Sequence, residues 1–425
     1  MISLAMYDKI IVGGGISGLY LAYKNGDRNT LLIEKYGYLG GRIYTEHKDG
    51  LFYESGAGRI GKDHTILIGL INELGLQKKL YPIGKDKLYF IDNKWIRTDR
   101  ELMDHYAITR FKSLKDIWLF ILYSKKEFKK DLLLSVNFIG YLLMILDENE
   151  INCIRDTFGY ITEINDNNAY VTLETILHSF DIENEEFYVL MGGLNQIVVE
   201  LTKKIKKMGV EIRLNTELLD IERLKKQYYC SVNDGGNKLI FTTNKLILGL
   251  PIERLSKIGY FCDNPELKNM VSSRPLMRIY ARYPLDNTGQ VWFNQMPKVV
   301  TDNPIQMIIP IDSKNGLVMI SYSDNYIAEY WNSLNNQGLL EKTLDSHLKK
   351  MFKGVTIPKP MWITVHHWKH GSHIWNYGYS QQIFLKQIFS KYAKKNLYIT
   401  CDCFSNKQTW IEGALEQAEY VLEII

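Results

Sequence analysis

Little in this sequence points to disulfides, a bilayer or a polyanion. Its five cysteines, Cys153, Cys230, Cys262, Cys401 and Cys403, are odd in number and include no C-x-x-C pair. A disulfide framework or cysteine-built zinc site is thereby disfavoured, and a reducing compartment fits. Basic and acidic residues nearly balance, 52 against 48, and the net charge of +4 is too small to argue for nucleic acid. The lysine-rich stretches 125–130 and 203–207 read as solvated helix faces. The most apolar run, residues 131–146 (DLLLSVNFIGYLLMIL), carries Asn137 and is shorter than the roughly 20 residues of a membrane span, so it reads as a buried helix. Residues 1–6 lack the basic and long apolar regions of a signal peptide and lead straight into a strand, and no hydrophobic tail closes the chain. A soluble, cytoplasmic protein with no transmembrane segment is expected. No internal repeat or low-complexity linker is visible.

What is present is concentrated near the start. Residues 10–12 are apolar and read as a buried strand, Gly13-Gly14-Gly15 as a tight turn, and Ile16-Ser17-Gly18-Leu19 as the beginning of a helix. In such a turn Gly13 supplies unusual backbone angles, Gly15 lets a pyrophosphate approach the main chain, and Gly18 permits close helix-strand packing. The helix N-terminus offers free N–H groups and a positive dipole end to phosphate. Residues 31–34 read as a second strand ending in Glu34, with Lys35 after it, at the spacing where a carboxylate accepts ribose hydroxyls. A dinucleotide-binding domain is the reading; a glycine-rich turn that binds nothing is the alternative.

At 425 residues the chain exceeds the usual limit for one core, so two domains are expected. Residues 63–74 have apolar positions at helical spacing, stopped by Gly75. From 81 to 187 the character changes, and 112–146 reads as long, apolar and helical. The dinucleotide style returns at Met191-Gly192-Gly193-Leu194 with a helix to 208, then strands at 210–214, 228–232 and 245–250. Residues 262–390 read as strand-rich, notably 277–283, 306–310, 317–322 and 362–368. A buried strand at 397–400 and an amphipathic helix over 410–425 close the chain.

Five separated motifs together resemble the flavin-containing amine oxidase family, which includes monoamine, polyamine and L-amino-acid oxidases. The first is the turn with Glu34. The second is Gly40-Gly41-Arg42, whose arginine the family packs near flavin and pyrophosphate, where a guanidinium makes paired hydrogen bonds. The third, Tyr53-Glu54-Ser55-Gly56-Ala57-Gly58-Arg59-Ile60, is similar to the loop under the isoalloxazine. The fourth joins the 191–194 run to Asn215-Thr216-Glu217-Leu218, where main-chain atoms at Leu218 would hold adenine. The fifth comprises residues 398–402 and Thr409-Trp410-Ile411-Glu412-Gly413-Ala414. In the family the acid, here Asp402, contacts the ribityl chain, and the helix from Trp410 points its N-terminus at the flavin pyrimidine.

The resemblance implies an α/β protein. A Rossmann-like FAD-binding domain (1–80, 188–261, 391–425) would accompany a mixed α+β substrate domain (81–187, 262–390), both discontinuous in sequence. It implies oxidation of an amine or amino acid to an imine, with dioxygen as acceptor and hydrogen peroxide as product. Trp410 aligns with one wall of the family's aromatic cage, or is a core tryptophan opening a helix; His373 falls near the other wall. Ser372 stands where some monoamine oxidases bond the flavin through cysteine, so the FAD is expected to be non-covalent. Arg59 either grips a substrate carboxylate, as an arginine does in L-amino-acid oxidases, or pairs with a phosphate or internal carboxylate. Arg278 replaces the lysine many members place, through water, near the flavin, and Cys401-Asp402 replaces the usual Gly-Glu. His366, His367, His370 and His373 lack acidic or cysteine partners in sequence, so no metal is assigned. The alternatives are a dehydrogenase or desaturase of the same superfamily on an apolar substrate, and a non-catalytic flavin-binding scaffold. No oligomeric state is assigned.

Overall fold

The computed structural model describes residues 4–179 and 186–425. Residues 1–3 of the expected lead-in and 180–185 of the expected substrate segment lie outside the described residues. The chain forms two compact units, one of Met1–Pro82, Phe187–Ser272 and Tyr379–Ile425, the other of Ile83–Glu186 and Ser273–Gly378.

The first unit is α/β. Its sheet runs in the order Glu211–Arg213, Thr30–Ile33, Leu4–Val12, Asn237–Leu248, Gln227–Asp234, Thr216–Leu224. The first four strands are parallel, with Val12 opposite both Ile33 and Leu248. Leu397–Ile399 adds a further parallel pairing to Leu246–Leu248, while Asn237–Thr243 pairs antiparallel with Gln227–Asp234. One long strand therefore serves two neighbours in succession. Ile10, Ile11, Leu31–Ile33 and Leu246–Leu248 are buried, as expected for parallel strands covered on both faces. Helix Ile16–Asn25 packs against Asn195–Lys207 and Ile411–Leu422. Strand Thr216–Leu224 (TELLDIERL) was not expected. Its acidic residues depress strand propensity, but they stand on an edge, where charge blunts unwanted pairing.

In the second unit a seven-stranded sheet has the order Trp362–Trp375, Val271–Arg282, Leu317–Asp324, Met307–Asp312, Lys298–Thr301, Lys87–Ile91, Lys94–Ile96. Its core includes Ile279, Phe293, Val299, Ile320, Trp331 and Leu344. Trp331 and Leu344 come from helices Asn325–Asn336 and Leu340–Met351, which interrupt the strand-rich reading of 262–390.

The single buried helix expected over 131–146 is two short ones, Lys130–Ser135 and Phe138–Leu142. Asn137 makes the break. Its side chain accepts from Gly140 N at 2.7 Å and donates to the Asn165 carbonyl at 2.9 Å, the capping behaviour that sets asparagine against a helix interior. Leu132, Leu143 and Met144 are exposed, so the run is not wholly buried either. Residues 112–146 are likewise no continuous helix: Leu114–Ser124 starts at a Ser113 cap and gives way to a 3-10 turn. Among the described residues no helix is long and apolar enough to cross a membrane.

Candidate functional site

The glycine turn is fixed by contacts that leave no room for side chains, except where it is open. Gly13 has φ +103°, and a Cβ there would lie 2.4 Å from the Gly249 carbonyl oxygen; one on Gly18 would lie 2.0 Å from the Gly13 oxygen. Helix Ile16–Asn25 is thus pressed onto the strand it follows. A Cβ on Gly15 would meet nothing within 4 Å. The Gly14 N–H donates to Glu34 Oε2 at 2.7 Å and the Tyr36 N–H to Oε1 at 2.9 Å, pinning the buried carboxylate beside the turn. Lys35 is instead exposed, its ammonium 4.4 Å from the Tyr36 ring centroid.

The second glycine pair lies against the first turn. Gly40 N–H donates to the Gly14 carbonyl at 2.8 Å, and Gly41, at φ +60°, would place a Cβ 3.5 Å from Gly15 Cα. The following Arg42 forms an ion pair with Asp402. Burial works against the Arg42 charge, but the carboxylate outweighs it and holds the guanidinium protonated. Asp402 also accepts from the Thr409 N–H at 3.2 Å and the Cys401 thiol at 3.2 Å. Thr409 sits at φ +69°, an uncommon conformation for a β-branched residue that this bond helps to hold. Three widely separated motifs thus meet: the glycine turn, Gly40–Arg42 and Asp402–Thr409.

Trp410 is the N-cap of helix Ile411–Leu422, and Ile411 behind it is buried. The Phe187 ring lies parallel to Trp410 within 5°, centroids 6.1 Å apart; His64 meets Trp410 edge-on at 4.9 Å. The half-buried Arg59 guanidinium carbon is 4.8 Å from the Phe187 centroid and 5.8 Å from that of Trp410. Gly56-Ala57-Gly58, leading to Arg59, is half-buried, and the Ala57 N–H donates to the Arg42 carbonyl at 2.9 Å. His64 Nδ1 accepts from Gly61 N–H at 3.1 Å, which assigns its proton to Nε2. Burial, then Lys407 and Arg59, lower its pKa to about 3, so this imidazole is neutral. Sequence reasoning missed Phe187 and His64. The signal for Phe187 is the apolar run before Gly192-Gly193: strand Phe187–Leu190 pairs with Ile60–Gly61, setting Phe187 opposite Gly61.

Two helix N-termini in this unit meet carboxylates from elsewhere in the chain. The N-terminus of Thr65–Glu73 receives the Glu412 carboxylate on Ile66 N (3.0 Å) and Leu67 N (2.9 Å). That of Asn195–Lys207 meets Glu54, which accepts from Leu194 N at 2.6 Å. Neither these two helices nor Ile16–Asn25 and Ile411–Leu422 take a cap from their own N-cap residues, His64, Leu194, Gly15 and Trp410. Leu218 is buried, and its carbonyl already accepts from Arg254.

Arg278 and His373 belong to the second unit, both buried. Arg278 is paired across strands with Tyr322, its guanidinium carbon 4.9 Å from that ring centroid. His370 bonds Ser273 at 2.7 Å and His367 lies 3.3 Å from Glu329. No group of three or more His, Cys, Asp or Glu forms a metal-ligand set among the described residues.

Comparison with known proteins bears on this arrangement. A stretch of 86 residues, 20% of this chain, is 34% identical to protoporphyrinogen oxidase 2, chloroplastic/mitochondrial, from Arabidopsis thaliana, covering 17% of that protein. Over 271 residues, 58% of the chain, it is 23% identical to L-amino acid oxidase bordonein-L from Crotalus durissus terrificus, covering 51% of that protein. The chain thus spans from about a sixth to about half the length of these curated relatives. The solved structure of wild-type putrescine oxidase bound to putrescine has the same fold, with TM-score 0.75 at 16% identity over 99% of both chains. The family model for flavin containing amine oxidoreductases matches residues 16–421, from the helix after the glycine turn almost to the end of the closing helix, and the chain belongs to that family.

Proposed function

We propose that the chain holds FAD non-covalently in its first unit and oxidises the C–N bond of an amine or amino acid to an imine, with dioxygen as acceptor and hydrogen peroxide as product. The observation that carries this reading is the meeting of separated motifs: the Gly40 N–H bonds the Gly14 carbonyl beside the open Gly15, and Arg42 pairs with Asp402, whose carboxylate also takes the Thr409 N–H. A helix N-terminus that opens on such a glycine turn favours an anionic group. The residues present fit a flavin dinucleotide. Gly15 gives a pyrophosphate access to the main chain, and Gly41 lies close beside it without a side chain. Each Glu34 oxygen accepts one backbone N–H, leaving lone pairs for ribose hydroxyls. Arg42 would neutralise phosphate and Asp402 would accept from the ribityl chain, while main-chain atoms at Leu218 would hold adenine. Ser372 offers no thiol for a covalent link.

The chemistry supplied by bound FAD is acceptance of a hydride from the carbon beside a neutral amine, followed by reoxidation by dioxygen. The chain's part is to orient the substrate and exclude water. Trp410 and Phe187 offer apolar faces that guide an amine without occupying its lone pair. His64, neutral at Nε2–H, steadies the Trp410 edge without adding charge. Arg59 would take a substrate carboxylate by paired hydrogen bonds, and helix Ile411–Leu422 would stabilise negative charge developing at its N-terminus. The resemblance gives His373 the role of a further wall and Arg278 the place where many members of the family have a lysine.

The test is to mix the purified yellow protein, without oxygen, with simple amines, polyamines and amino acids. Bleaching by one class and recovery of colour in air is expected. Unchanged colour with all three would refute oxidation, and a colourless protein that takes up no added FAD would refute the cofactor.

A further inference from the structure

Arg59 borders two flat rings. Its guanidinium carbon lies 4.8 Å from the Phe187 centroid and 5.8 Å from that of Trp410, and the two centroids are 6.1 Å apart with their planes 5° from parallel. One short segment secures all three groups. Strand Ile60–Gly61 pairs antiparallel with Phe187–Leu190, Gly61 opposite Phe187. Side chains alternate along a strand, so Arg59, two residues before Gly61, addresses the face that Phe187 addresses, as its diagonal neighbour. Gly61 places no side chain between them, and a Cβ there would lie 2.7 Å from Asp63 Oδ1 and 3.1 Å from His64 Nε2. The Gly61 N–H donates to His64 Nδ1 at 3.1 Å, and that ring meets Trp410 edge-on at 4.9 Å. Phe187 is thus held through a strand pair and Trp410 through an imidazole, both from residues 60–64. Phe187 is 9% exposed, so little water screens the attraction between its face and the cation.

We propose that Phe187 is a positioning residue that fixes the Arg59 guanidinium and thereby selects substrates bearing a carboxylate over those bearing a second ammonium; this rests on the carboxylate-binding role proposed for Arg59. An arginine side chain loses rotamer freedom when it grips a ligand, and contact with two rings meets that cost before the ligand arrives. A guanidinium so held presents its N–H groups in one orientation, as the paired hydrogen bonds of a carboxylate require. The same fixed charge repels the far ammonium of a diamine, which a mobile arginine would escape by swinging away. One ring contact therefore acts in two directions, for amino acids and against polyamines. Trp410 lies in a motif read from the sequence; Phe187 does not, and it is the ring nearer to the guanidinium.

The flavin-loaded protein tests this with benzoate, a carboxylate that carries no amine to oxidise, by calorimetry without oxygen, alongside anaerobic flavin reduction by amino acids and simple amines. Phe187→Leu should bind benzoate about 5- to 30-fold more weakly, the range of a partly to fully desolvated cation-ring contact. In reduction, the amino-acid concentration giving half the limiting rate should rise by a similar factor, more than the limiting rate falls and more than the same quantity rises for a simple amine. Phe187→Tyr, which keeps the ring face, should restore the parent's values. Equal benzoate affinity in the parent and Phe187→Leu overturns the proposal, as does a Phe187→Tyr protein as weak as Phe187→Leu or a parent that binds no benzoate. If Phe187→Leu fails to fold, Phe187→Met removes the ring in its place and is held to the same outcomes. Should no amine or amino acid bleach the flavin while benzoate affinity still follows the ring, oxidation is refuted and the positioning role stands.

Discussion

In the first unit each buried carboxylate at the site meets donors. Glu34 takes two backbone N–H groups, Glu412 takes two, and Asp402 takes one together with the Arg42 guanidinium and the Cys401 thiol. In the second unit Asp324 is served similarly, by Ile161 N, Thr162 N and the Gln306 amide, but its neighbour Glu163 is not: the buried Oε2 has no hydrogen-bond partner. Burial, then Asp324, push the Glu163 carboxyl up to about 8. Burial raises the Glu412 carboxyl as well, against the two N–H groups that lower it; what sets Glu163 apart is an oxygen with no donor and a carboxyl pushed into the neutral range. The difference is what separates a ligand cradle from a scaffold that tolerates a neutral acid.

The strongest way to break this comparison is at the glycine turn. Gly18→Ala drives a Cβ against a main-chain oxygen and should cost more than the about 1–3 kcal/mol of ordinary overpacking, giving no stable yellow protein. Gly15→Ala meets nothing and should fold with a melting temperature only about 2–4 °C lower, its loss falling on flavin content. Absorbance and thermal melts read both; a yellow, stable Gly18→Ala would show the turn to be looser than drawn.

Next in size, Arg59→Ala should slow anaerobic flavin reduction by amino acids about 10- to 100-fold more than by simple amines, the worth of a charged hydrogen-bonded contact. Equal losses would return Arg59 to stacking on Phe187 and Trp410.

These two sites also show what the sequence disclosed. The glycine turn, Glu34 and Gly40–Gly41 are local in sequence, and their geometry follows from backbone rules a reader can apply to neighbouring residues. Phe187 and His64 are not local. Phe187 reaches the 59–61 segment only through strand pairing, and nothing in its own surroundings marks a ring destined for Trp410. The break at Asn137 was legible in principle, since asparagine caps helices, but the apolar residues around it dominate a periodicity reading. Helices Asn325–Asn336 and Leu340–Met351 are amphipathic and were overlooked among flanking strands.

In the second unit the comparison sharpens with pH. The native state holds the Glu163 proton up to about 8, whereas the unfolded chain releases it near 4.5. Stability from the neutral acid is thus complete below the lower value and lost as pH rises through the higher one. Glu163→Gln should melt about 2–4 °C above the parent at pH above 8, with the gap closing on acidification. Parallel melting curves across that window would remove Glu163 from the account.

The smallest effect lies back in the first unit, with the opposite sign. Neutral His64 titrates at about 3 when folded and 6.5 when unfolded, so its contribution is complete above 6.5 and lost as pH falls towards 3. His64→Gln keeps a donor and an acceptor and should flatten the acid side of the urea midpoint against pH. An unchanged acid slope would mean that another group carries it.

Helix Ile411–Leu422 packs on helix Ile16–Asn25, Tyr20 bonds Glu419, and strand Leu397–Ile399 completes the parallel sheet. Synthesis proceeds at about 5–20 residues per second, so the glycine turn leaves the ribosome roughly 20–80 s before the partners that enclose it. Until then its strand and helix are nascent structure with apolar faces uncovered. The segment from Leu397 to Leu422 closes the cradle, and a ribosome stalled before it would release a chain in which the glycine turn has never met these partners.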